Sequence, residues 1–166
     1  MQRMAINVRR AVAEAAQRFS LQWSFRVCRG NVCRTLLAEC VTADLLLVGR
    51  ESNMPVSSPA RTGGSVIVIG EAPGENRAKE TAQRLARLYS APLVTLVTAD
   101  RRTDQTLSSG QVQSCPTETE ALIRTIRQWE PQLVLIEASH SLLSETLLTL
   151  LVSRLPCPIA LAHDGS

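Results

Sequence analysis

A chain of 166 residues is long enough for one domain with a substantial core and too short for two large ones. Apolar residues make up 45% of it but aromatic residues only 3%, so the core is aliphatic, which suits parallel strands covered by helices. The 18 basic and 15 acidic residues leave a net charge of +3 with the arginines scattered, which argues against nucleic acid as a partner.

In chain order, Ala5, Val8, Val12, Ala15, Ala16 and Phe19 recur at helical spacing and predict an amphipathic opening helix. Arg9, Arg10 and Glu14 interrupt its apolar pattern, so this segment does not read as a signal peptide. Ser24 to Cys28 alternates as a strand does, Val32 to Val41 is helical, and Asp44 to Gly49 is an apolar strand. Residues 54–64, rich in Pro, Ser and Gly, mark a linker. Beyond it, Ser65 to Gly70 is a β-branched run of the kind buried on both faces, and Glu75 to Tyr89 carries Ala78, Ala82, Leu85 and Leu88 on one helical face.

Pro92 to Thr98 predicts another buried strand, and the polar stretch Arg101 to Pro116 holds a short edge strand near Val112. Thr117, with Glu120 three residues later, reads as a capping box before Leu122, Ile123, Ile126 and Trp129. Leu133 to Ile136 is a strand, Ser141 to Arg154 a leucine-rich helix, and Cys157 to Leu161 a closing strand. Such alternation predicts an α/β fold, a three-layer sandwich with a mostly parallel, doubly wound sheet. No apolar run reaches the ~18 residues that span a bilayer. The 5 cysteines lack scaffold-like spacing, which fits a cytoplasmic, reducing environment.

The closing sequence Leu155-Pro156-Cys157-Pro158-Ile159-Ala160-Leu161 resembles the characteristic last strand of the universal stress protein family, and Ser65 to Ala162 resembles one complete unit of that family. Trp23 to Arg50, with Arg29-Gly30 and then Ala43 to Arg50, resembles the second half of another unit. The resemblance implies a degenerate tandem: a partial unit over residues 1–53, a linker over 54–64 and a complete unit over 65–166, packed as one body.

Nucleotide-binding members of that family carry a glycine pattern after the fourth strand, because glycine lets backbone N–H groups approach phosphates. Here the positions hold Glu137-Ala138-Ser139-His140 and Leu147-Leu148-Thr149-Leu150, without glycine, which argues against ATP. Gly49, Gly63 and Gly64 form a stretched echo of the pattern in the first unit. Glu71 stands where the family has an acidic residue after its first strand, and Gly70-Glu71-Ala72-Pro73-Gly74 reads either as a tight turn or as a strand-to-helix ligand crevice.

A second motif competes. Cys28-Arg29-Gly30-Asn31-Val32-Cys33-Arg34-Thr35 resembles the phosphate-binding loop of low-molecular-weight tyrosine phosphatases, which implies Cys28 as nucleophile, Arg34 as phosphoryl clamp, Thr35 as thiolate stabiliser and Cys33 as a protecting partner. That family also uses an Asp-Pro acid late in the chain, and this sequence has no such pair. The plain alternative makes Cys33 and Cys40 small apolar helix residues. His140 and His163 stand apart and the cysteines lack zinc-ligand spacing, so no metal and no cofactor is expected. The expected function is that of a stress-protein-like regulatory or interaction protein, self-associating or binding another protein; the alternatives are a Cys28 phosphomonoesterase and a small-ligand or nucleotide binder.

Overall fold

A computed structural model describes residues 9–10, 13–14, 16–18, 20, 31–40, 43–48, 64–71, 77–98 and 111–163. The described residues form α1 (Val32–Cys40), β1 (Leu45–Val48), β2 (Ser65–Gly70), α2 (Arg77–Leu88), β3 (Leu93–Val97), β4 (Gln111–Ser114), α3 (Thr119–Gln128), β5 (Pro131–Glu137), α4 (Glu145–Arg154) and β6 (Ile159–Ala162). Ahead of them, the described residues between 9 and 18 are helical, Ala16 is buried, and Arg10 pairs with Glu14 one turn on at 3.0 Å. The expected strand at Ser24 to Cys28 and, of the expected linker over 54–64, all but Gly64 lie outside the described residues.

The strands form one sheet in the order β1-β6-β5-β2-β3-β4. β2 pairs in parallel with β3 and β5, β5 with β6, and β3 with β4, whereas β1 runs antiparallel to β6. The fold is therefore α/β with a mostly parallel six-stranded sheet, as the alternation of strand and helix patterns predicts. Every residue of β2 and β3 is buried, which explains why both read as unbroken apolar or β-branched runs rather than alternating ones.

Successive side chains of each strand feed two cores. On one face Ile67, Ile69, Val94, Leu96, Val134 and Ile136 pack under α1, α3 and α4, whose leucines and isoleucines fill the space. On the other, Val66, Val68, Leu135 and Ala160 meet Ala78, Ala82 and Ala86, so α2 sits close to the sheet on small side chains. These are the three layers. No helix among the described residues is long and apolar enough to cross a membrane.

Two helix starts differ from the sequence expectation. The N-cap of α3 is Glu118, with no side-chain cap bond, so Thr117 and Glu120 do not form a capping box. α4 begins at Glu145 rather than Ser141, because Ser144 is the residue whose hydroxyl accepts the Leu147 N–H at 3.2 Å. The residues ahead of Ser144 do something else.

Candidate functional site

From β2 the chain moves outward to β3 and β4 on one side, then returns as β5 on the other side of β2. The carboxyl ends of β2 and β5 thus flank the switch point where open α/β sheets place ligands. β2 delivers Gly70 and Glu71 there, and β5 delivers the loop from Ala138 to Ser144. Two of the residues singled out in the sequence, Gly70 and Glu71, are in position; Gly74 lies outside the described residues.

Glu71 reaches across the switch point, and its Oε1 accepts the backbone N–H of Ser141 at 2.6 Å. Hydrogen bonds from the Ser141 side chain and then its backbone hold the Glu71 carboxyl below the usual glutamate range. His140, only 3% exposed, lies under this contact. Its Nδ1 accepts the Leu142 N–H at 3.0 Å, which leaves Nε2 to carry the ring proton toward Thr98 Oγ1 at 3.2 Å. Thr98 in turn donates its N–H to the Gly70 carbonyl at 3.2 Å. His140 therefore ties the loop after β5 to the end of β3, across the end of β2.

Other loop amides are engaged as well. His140 N–H donates to the Glu137 carbonyl at 3.0 Å and Leu143 N–H to the His140 carbonyl at 2.8 Å. Ser139 Oγ donates to Glu137 Oε1 at 2.7 Å. The N–H groups of His140, Ser141, Leu142 and Leu143 thus all bond within the chain. A phosphate cradle needs such amides directed at a ligand. Here a carboxylate, an imidazole and two carbonyls take that place.

In the sequence His140 stands apart from His163, one residue ahead of the predicted helix from Ser141. The signal that marks it is a polar triplet, Ser139-His140-Ser141, between a buried strand and a leucine-rich helix, where a buried imidazole must find partners.

The other candidates fall elsewhere. Gly64 opens β2 at its amino end, roughly 20 Å along the strand from Gly70 at ~3.3 Å per residue. A Cβ at Gly64 would lie 2.7 Å from the Glu130 carbonyl oxygen, so the glycine permits a close backbone approach and is not part of the switch-point crevice. Gly49 and Gly63 lie outside the described residues, as does Cys28.

Of the phosphatase-like segment, Asn31 to Thr35 is described, and it forms an ordinary helix start. Asn31 Oδ1 accepts the Arg34 N–H at 3.1 Å, the Asn31 carbonyl accepts the Thr35 N–H at 3.1 Å and its hydroxyl at 3.0 Å, and Asn31 Nδ2 donates to Glu145 Oε1 at 2.5 Å. Arg34 is exposed, whereas Cys33 and Cys40 are buried in the core between α1 and the sheet. Burial pushes the Cys115 and Cys157 thiols up to about 11 and raises Cys40 as well. Among the described residues no group of three or more His, Cys, Asp or Glu side chains is placed to hold a metal ion.

An apolar groove of about 390 Å³ lies away from the switch point, on the sheet face that α2 covers, between Leu45 and Leu47 of β1 and Leu85 of α2 with Tyr89 just after it. Pro156 and Pro158, from the turn before β6, close one end.

No family model matches the chain, and no curated protein matches it. Among solved structures, a universal stress protein from Archaeoglobus fulgidus DSM 4304 is similar, with a TM-score of 0.43 and 11% identity over 61% of this chain and 45% of that one. The match thus spans less than half of that protein's length.

Proposed function

We propose that the chain is a cytoplasmic regulatory or interaction protein of universal stress protein type, which works as a platform without binding ATP and without catalysis. The sequence of its closing strand, the α/β sheet and the position of Glu71 after β2 support the type. One observation carries the absence of nucleotide chemistry: the amides of His140 to Leu143 all have partners within the chain, and one of these is the Glu71 carboxylate. A triphosphate at this edge would meet that negative charge and would have to break these bonds to gain its own.

The same reading treats residues 65–166 as the complete unit and residues 1–53 as the partial one, whose β1 extends the unit's sheet beyond β6. The platform then acts through its surfaces, on a second copy or on another protein. The capping pattern around Asn31 weighs against a phosphate loop beginning at Cys28, because the Arg34 and Thr35 amides are engaged by Asn31.

The test combines thermal unfolding with and without Mg-ATP and turnover of p-nitrophenyl phosphate by the wild type and Cys28→Ser. The expected result is no nucleotide-dependent rise in melting temperature and no turnover that depends on Cys28. A saturable rise would overturn the reading, since a ligand selective for the folded state must stabilise it; Cys28-dependent turnover would replace it with the phosphatase.

A further inference from the structure

The His140 ring is buried, and its two nitrogens face different partners: Nδ1 accepts the Leu142 N–H at 3.0 Å, and Nε2 lies 3.2 Å from Thr98 Oγ1. An imidazole nitrogen accepts a hydrogen bond only while it carries no proton, so the contact with Leu142 selects the neutral ring. Protonation places a second N–H on the ring, directed at the Leu142 N–H, and an acceptor facing a donor becomes two donors face to face. Ring and amide must then separate.

What separates is a bridge between elements distant in sequence. Through Thr98, the ring fastens the loop between β5 and α4 to the end of β3, and the Thr98 N–H donates in turn to the Gly70 carbonyl at 3.2 Å. Leu143 N–H donates to the His140 carbonyl at 2.8 Å, so the turn that carries Leu142 is wound around the same residue. The charged side chains held on this loop are carboxylates: Glu71 after β2, bonded to the Ser141 N–H, and Glu137 at the end of β5, bonded to Ser139 Oγ. β3 brings the uncharged Thr98, Glu145 at the start of α4 is held by Asn31, and His163 after β6 donates its N–H to the Asp44 carbonyl. Both carboxylates favour a protonated ring, yet neither replaces the acceptor that the Leu142 amide loses.

We propose that His140 is a pH-sensitive latch: the neutral ring fastens the loop from Ala138 to Ser144 to the end of β3, and a proton taken from solvent onto Nδ1 releases it. Release frees the Leu142 amide and loosens the bridge across the carboxyl end of β2. Glu71 does not switch in the same range, because hydrogen bonds from Ser141 hold its carboxyl below the usual glutamate values, so it stays ionised where imidazoles take up their proton. The inference goes beyond the platform reading, since the latch operates whether or not the surfaces of the chain bind a partner.

Amide hydrogen exchange and ring-proton resonances of the full chain test this between about pH 8 and about pH 5, a range that brackets imidazole titration and lies above that of ordinary carboxylates. The protection of the Leu142 amide, taken relative to an unstructured amide at the same pH, should fall roughly tenfold or more across the range. That of Val134, which donates to the Pro158 carbonyl inside the sheet, should not fall with it. The loss at Leu142 should share its midpoint with the carbon-bound ring protons of His140 and not with those of His163, a readout that needs no variant to fold. His140→Asn, whose Oδ1 accepts as Nδ1 does and takes up no proton in this range, should abolish the pH dependence. Leu142 protection that is constant with pH would overturn the proposal, as would a fall that Val134 shares, one that follows His163, or one that persists in His140→Asn. The Mg-ATP measurements, made at a single pH, decide the platform reading separately.

Discussion

Glu71 is an exposed carboxylate with a specific task, and its consequence for stability has a definite sign. Its carboxyl is held below the usual glutamate range by Ser141, so the contribution to stability is fully present above that range and is lost as pH falls through the folded-state value. Glu71→Gln should therefore be less stable than the wild type in urea titrations at pH 7, and the difference should shrink on acidification below the usual glutamate range. A difference that is constant with pH would mean that the carboxylate charge is not what the Ser141 amide senses. The cysteines point the other way. Cys115 and Cys157, with thiols pushed up to about 11 by burial, should resist a thiol-alkylating reagent at pH 8 in the folded chain and react once it is unfolded, as read by peptide mass spectrometry.

At the scale of elements, α2 is set apart by Ala78, Ala82 and Ala86, all buried against the sheet. Ala82→Leu should overpack that layer and cost about 1–3 kcal/mol in chemical denaturation; Leu148→Ala in α4, fully buried on the opposite face, should cost about 2–5 kcal/mol by leaving a cavity. Most elements were legible in the sequence for local reasons. β2 and β3 are β-branched or leucine runs of strand length, and α2 and α3 carry apolar residues at helical spacing. The antiparallel direction of β1 was not legible, because a strand's own pattern is the same whichever way its neighbour runs. The start of α4 was misplaced for a similar reason: Ser141 and Ser144 both precede leucines, and only the His140 ring, which takes the Leu142 amide, decides between them. Of the candidate site, Glu71 was singled out through the family resemblance, as the acidic residue after a strand. His140 was not, since its partner Thr98 lies 42 residues away in sequence.

At the scale of the whole molecule, α1, α3 and α4 pack on one face of the sheet and α2 on the other. The face that α2 covers carries the apolar groove and the exposed leucines of β1, while the carboxyl edge, where α/β proteins usually bind ligands, is bridged by Glu71, His140 and Thr98. Interaction is proposed for the face, and a structural closure for the edge. The most direct test is a titration of isotopically labelled protein with Mg-ATP, following the backbone amide resonances of His140, Ser141, Leu142 and Leu143. The prediction is that these resonances stay fixed as nucleotide is added; saturable shifts concentrated on them would show that the edge opens to phosphate and would contradict the account.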